Sequence, residues 1–122
     1  MRILVCGGRD YQNRNRVFEV LSDLVNMSED NPLGDHCTII HGSCPTGADR
    51  WADEWAVVHW KSIDEYPADW KRFGHSAGPR RNTQMIDESA PDLVVAFPGR
   101  DGTADCVRKA EAAGIEVMKV DW

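Results

Sequence analysis

Leu93-Val94-Val95-Ala96-Phe97-Pro98-Gly99-Arg100-Asp101-Gly102-Thr103 decides the fold. Its apolar half, preceded by Pro91-Asp92, stops at Pro98-Gly99. A helical pattern opens at Gly102-Thr103 and runs through Val107 and Ala110. That order reads as a buried strand, a tight glycine loop and a helix N-terminus. Such a junction attracts anions. First-turn N–H groups have no intrahelical partner, the helix dipole favours negative charge, and glycines let a phosphate approach the backbone. Two further junctions share the pattern. Ile3-Leu4-Val5-Cys6 runs into Gly7-Gly8-Arg9-Asp10, and Thr38-Ile39-Ile40-His41 runs into Gly42-Ser43-Cys44-Pro45-Thr46-Gly47. Three glycine loops at three strand ends predict one shared cleft for a phosphorylated ligand.

Strand and helix alternate on either side of this stretch. Residues 2–6 are apolar with little alternation, as in a strand covered on both faces. Val17, Val20, Leu21, Leu24 and Val25 form a helical stripe, and Ser28 to Asp35, with Asn31-Pro32 and Gly34, reads as a loop. Residues 37–41 predict a second strand. A helix capped by Thr46 or Asp49 then runs through His59, with Ala48, Trp51, Ala52, Trp55 and Ala56 on one stripe. Lys61 to Tyr66 predicts a third strand, and Asp69 to Gly78 a polar and aromatic loop. Pro79 suits the first turn of a helix ending near Ser89. The fourth strand covers 92–97 and the fourth helix about 103–113, with Gly114 as its C-cap. Glu116 to Val120 closes the sheet. This alternation predicts a single α/β domain over residues 1–122, a sandwich around a mainly parallel sheet. Ligands of such sheets sit beyond the C-terminal strand ends, near the topological switch point. All three glycine loops fall on that edge.

Composition removes several function classes. The formal charge of −6 argues against non-specific nucleic-acid binding, which draws on clustered basic residues. A local basic patch around Lys71-Arg72 and Arg80-Arg81 stays compatible with it. No apolar run approaches the roughly 20 residues of a membrane span, and the chain enters strand pattern directly, without a leader. Cys6, Cys37, Cys44 and Cys106 lack CxxC spacing and read as reduced thiols, so a cytoplasmic protein is expected. His41, Cys44 and Cys6 have no metal-ligand spacing, and neither a metal nor a cofactor is expected. Trp51, Trp55 and Trp60 read as core or interface. A homo-oligomer is the expectation if that stripe is partly exposed.

Each candidate site residue has a plainer alternative. Gly7-Gly8-Arg9-Asp10 lacks the full GxGxxG of a dinucleotide fold. Arg9 offers a phosphate fork and Asp10 a ribose or base acceptor; the alternatives are a tight turn and a surface ion pair. Gly42, Ser43, Thr46 and Gly47 imitate a Walker A spacing, but Ala48-Asp49 stands where Lys and Ser/Thr are required, which excludes that type of triphosphatase. Asp49 suits ribose hydroxyls, or equally the positive end of a helix dipole. Arg80, Arg81 and Asn82 follow a glycine loop at a helix start, aimed into the cleft or solvated. Trp70 and Phe73 suit base stacking or lid packing.

Five segments together resemble the YspA/YpsA-related branch of the SLOG superfamily. They are Gly7-Gly8-Arg9-Asp10, His41-Gly42 with Cys44 to Asp49, Tyr66 to Trp70, Ala77 to Asn82 with Met85, and Phe97-Pro98-Gly99 with Gly102-Thr103. The resemblance covers nearly the whole chain. It implies a Rossmann-like three-layer sandwich, a mainly parallel five-stranded sheet, and binding of nucleotides or nucleotide-derived ligands. The LOG enzymes of that superfamily cleave the N-glycosidic bond of nucleoside monophosphates with a PGGxGTxxE signature and an Arg-Lys pair. Here Pro98, Gly99, Gly102 and Thr103 keep the phosphate loop, with Arg100 replacing the second glycine. Cys106 holds the glutamate position beside Asp105. Arg81 matches the arginine and Asn82 replaces the lysine. Cleavage at an anomeric carbon needs a carboxylate, with Asp105, Asp49 and Asp10 as the candidates.

The first expectation is a domain that binds a nucleotide or nucleotide-derived ligand as a sensor or sequestering protein. Phosphate lies at 98–103, Arg9 and Arg81 neutralise it, and Asp49 and Asp10 take ribose or base. The second is a hydrolase of a nucleotide N-glycosidic bond, with Asp49, Asp105 and Arg81 as catalytic candidates. The third, single-stranded DNA binding in the manner of DprA, is the weakest on charge.

Overall fold

The computed structural model describes residues 1–27 and 37–121, so the loop expected at 28–35 lies outside the described residues. The strands are β1 (Arg2–Cys6), β2 (Thr38–His41), β3 (Ser62–Glu65), β4 (Leu93–Ala96) and β5 (Glu116–Lys119). The helices are α1 (Arg14–Met27), α2 (Gly47–Val58), the one-turn α3 (Trp70–Phe73), α4 (Ala77–Ser89) and α5 (Asp101–Ala112). All five strands are parallel, in the order β3-β2-β1-β4-β5.

Strand alternation builds the layers. Ile3 and Val5 of β1 point to one face and pack on Val17 and Leu21 of α1 and Ala52 and Trp55 of α2. Leu4 and Cys6 point to the other, against Met85 and Ile86 of α4 and Cys106 and Ala110 of α5. The central strands β1 and β4 are therefore apolar on both faces, while the edge strand β3 is partly exposed along its length. The result is the expected three-layer α/β sandwich.

The chain order creates the cleft. From β1 it moves through α1 to β2 on one side, and β4 enters on the other, paired Cys6 to Ala96 at the strand ends. The loops leaving β1 and β4 thus lie side by side and turn toward opposite faces, which is the switch point of such a sheet. No helix among the described residues is long and apolar enough to cross a membrane.

Two boundaries differ from expectation. The stretch 69–78 is not a loop: α3 and a 3₁₀ turn at Gly74–Ser76 lead directly into α4. The Asp69 carboxylate accepts from the Arg72 N–H at 3.1 Å, an N-cap whose helix is too short to show periodicity. The last helix begins at Asp101, ahead of Gly102-Thr103, because an acidic first residue complements the dipole. Of the tryptophans, Trp55 is core, with Nε1 donating to Ser22 Oγ at 3.0 Å, and Trp51 is half-buried and donates to the Tyr11 carbonyl. Trp60 is 93% exposed.

Candidate functional site

Backbone atoms join the three glycine loops. The Gly8 N–H donates to the Pro98 carbonyl at 2.9 Å, and the Gly8 carbonyl accepts from the Ala48 N–H at 3.3 Å. One residue after β1, Gly8, therefore ties the loop after β4 to the start of α2. The glycines permit this approach. A Cβ on Gly7 would stand 2.6 Å from that of Ala48, and one on Gly99 would run into Thr103 and the Gly8 nitrogen. Gly47, at φ +75°, would drive a Cβ into the Gly8 carbonyl. Gly102 differs, because a Cβ there would meet nothing within 4 Å.

Two helix N-termini open at this edge. Neither Thr46, before α2, nor Arg100, before α5, caps its helix through a side chain; in the first turn of α2 the Gly8 carbonyl takes the Ala48 N–H instead. Arg9, Asp10 and Arg100 stand exposed at the mouth, with Arg100 Nη2 3.6 Å from Asp10 Oδ2. A cavity of about 550 Å³ opens beside the loop, lined by Pro98, Gly99, Arg100 and Thr103 together with Phe97, Val107, Lys119 and Val120.

The α4 residues sit deeper. Arg81 donates from Nη1 to the Gly42 carbonyl at 2.5 Å and from Nε to Asn82 Oδ1 at 2.9 Å. It thereby fastens the loop after β2 to α4. Asn82, buried, donates through Nδ2 to the Gly102 carbonyl and to Asp105 Oδ2, both at 3.1 Å. Arg80 stays exposed, stacked on Phe73 at 4.4 Å.

The candidate carboxylates separate by environment. Burial pushes Asp105 up, but hydrogen bonds from Lys109 and Asn82 and the charges of Lys109 and Arg108 overcome it and hold the carboxyl below its ordinary range. Asp105 is thus a clamp between α4 and α5. Burial raises the Asp49 carboxyl, against the opposing influence of His41, the Cys44 and Gly42 N–H groups and Arg81; its Oδ2 accepts from Cys44 N at 3.2 Å. Cys6 and Cys106 form a buried thiol pair below the loops. Their shared hydrogen bond, aided by burial, raises Cys6, and the same bond lowers Cys106. All four cysteines are free thiols.

A third arrangement escaped sequence reasoning. His41 Nδ1 accepts from the Ser43 N–H at 2.9 Å, so Nε2 carries the proton, 2.8 Å from Asp53 Oδ2 and 3.9 Å from Glu65 Oε1. The ring meets these carboxylates instead of Cys44 and Cys6, and it faces them with a proton in place of a lone pair. The signal was register: His41 and Glu65 are partners at the ends of β2 and β3. Ser43, φ +60°, is the strained residue of this loop, and its buried Oγ has no partner among the described residues.

Comparison with known proteins gives two findings. Over residues 1–73 the chain matches the family described as YAcAr: YspA, cpYpsA-related SLOG family. It is also similar to the Gene 61 protein of Mycobacterium phage D29, 37% identical over 127 residues, spanning 96% of this chain and 94% of that protein. With the parallel sheet, its switch point and the loop-lined edge in place, the chain belongs to the YspA, cpYpsA-related SLOG family.

Proposed function

We propose that this domain binds a nucleotide or nucleotide-derived ligand where the loops 7–10, 42–47 and 98–103 meet, and acts as a sensor or sequestering protein. One observation carries the reading: the N-termini of α2 and α5, without side-chain caps, converge on the switch-point edge and are tied together through Gly8. Phosphate sits at the first turn of α5, against Pro98, Gly99, Gly102 and Thr103. Gly102 leaves that turn open to close approach. Arg9 supplies positive charge at the mouth, and Asp10 follows it for ribose or base. Arg81, fastened to the Gly42 carbonyl, contributes field and loop position.

Thermal shift with adenosine 5′-monophosphate, ADP-ribose and NAD, followed by chromatography of the incubated ligand, tests the reading. A ligand at a hundred times its Kd adds about 2.7 kcal/mol of stability. A raised Tm with ligand recovered intact is expected. No shift with any nucleotide overturns the proposal.

A second reading, hydrolysis of the N-glycosidic bond, is favoured by one residue. Burial holds Asp49 toward its protonated form, the state a general acid needs for a departing base. Asp105 is engaged by two cations and an amide. Ligand consumed in the same chromatography, and spared by Asp49→Asn, supports this second reading over the first.

A further inference from the structure

We propose that Trp70 is the stacking platform for the base of the ligand, so that the site selects phosphate esters carrying a nucleobase over those carrying a bare sugar. The inference rests on the nucleotide reading above and deepens it.

Trp70 is 47% exposed although it opens α3, a turn with no buried residue of its own. A half-exposed indole next to the β1 loop offers a flat apolar surface to a planar ligand. The indole is nonetheless seated. Its six-membered edge lies over Gly78 in the first turn of α4, where a Cβ would stand 3.3 Å from Cη2. The Arg9 guanidinium lies over the ring, 5.2 Å from its centroid. Arg9 follows Gly8, whose N–H is bonded to the Pro98 carbonyl at the phosphate loop. Trp70 is therefore connected to the anion seat through the residue that brings positive charge to it.

The alternative wall offers no stack. The cavity beside α5 contains one aromatic residue, Phe97, which is 2% exposed and packed against Tyr11 at 5.4 Å. Its face is already used in the core. Phe73 is flanked by Arg72 at 4.9 Å and Arg80 at 4.4 Å. Trp70 is an exposed ring with one guanidinium, that of Arg9, over it, where Phe73 carries two. A base laid on it gains π-contact whatever its edge pattern, which reads "base present" without reading which base.

The test is calorimetric titration of the wild type, Trp70→Ala and Trp70→Phe with the four ribonucleoside 5′-monophosphates and with ribose 5-phosphate. The wild type binds the nucleotides about tenfold more tightly than the sugar phosphate, the ratio that one base stack supplies. Trp70→Ala brings the two classes together, costing nucleotide affinity about tenfold more than ribose 5-phosphate affinity; Trp70→Phe keeps most of the preference. A nucleotide preference that survives in Trp70→Ala overturns the platform and leaves the nucleotide reading standing. Equal wild-type affinity for both classes overturns the platform as well, with phosphate binding retained. Binding of none of the probes overturns the nucleotide reading and the platform together.

Discussion

Gly47 and Gly102 belong to the same three loops and do opposite work. Gly47 is positioned by φ +75° and by the Gly8 carbonyl against it; Gly102 faces open space in the first turn of α5. Gly47→Ala is expected to destabilise by about 1–3 kcal/mol in urea denaturation, from backbone strain and a displaced loop. Gly102→Ala is expected to leave stability within about 1 kcal/mol, while weakening nucleotide binding in calorimetry. Equal stability losses at both positions would contradict the division. Asp105 gives a pH prediction. Its folded carboxyl lies below the ordinary range, so its contribution is complete above the unfolded value and is lost as pH falls through the folded one. Asp105→Asn therefore lowers stability at pH 7 by roughly 1–3 kcal/mol. The gap between variant and wild type closes below about pH 4. A gap that stays constant between pH 7 and pH 3 sinks the clamp.

At the scale of elements, α3 is the piece held by least. Its anchors are the Asp69 cap, the contact of Trp70 with Gly78, and the Arg9 and Arg80 guanidiniums over Trp70 and Phe73. Amides of 70–76 are expected to exchange far faster than those of β1, and Asp69→Ala to cost about 1 kcal/mol or less in global stability. Protection of 70–76 equal to that of β1 would refute this. The contrast with α2 is instructive, since Trp55→Ala is expected to lose roughly 3–5 kcal/mol. The same difference explains what was legible beforehand. β1, β4 and α2 announce themselves because burial imposes a period on Ile3 to Cys6, Leu93 to Ala96, and Ala48 to Ala56. α3 has no buried face and so no period, and only its capping aspartate marks it. Strand ends and glycine loops were equally plain. The destinations of Arg81, Asn82 and Asp105 were not, because a polar side chain's partner in a buried layer depends on packing across elements distant in the chain. His41 belongs to the same class: its neighbours Asp53 and Glu65 come from α2 and β3.

At the scale of the whole molecule, a formal charge of −6 surrounds a basic rim of Arg9, Arg72 and Arg80. The excess negative charge disfavours a long polyanion, whereas a small phosphate ester meets the rim alone. Single-stranded DNA is expected to show no gel retardation at about 0.15 M salt, beyond a Debye length of roughly 8 Å; a salt-sensitive complex would revive the DNA-binding alternative. The tie through Gly8 has a consequence for how such a scaffold changes over time. The contact is made by main-chain atoms, which every substitution preserves as long as the chain path is kept. Side chains at Arg9, Asp10 and Arg100 stand exposed at the mouth and carry none of that contact. The architecture therefore separates inheritance into two parts, a fixed seat written in glycines and a chemical vocabulary written in the exposed positions. A lineage can revise what it recognises without rebuilding where recognition occurs.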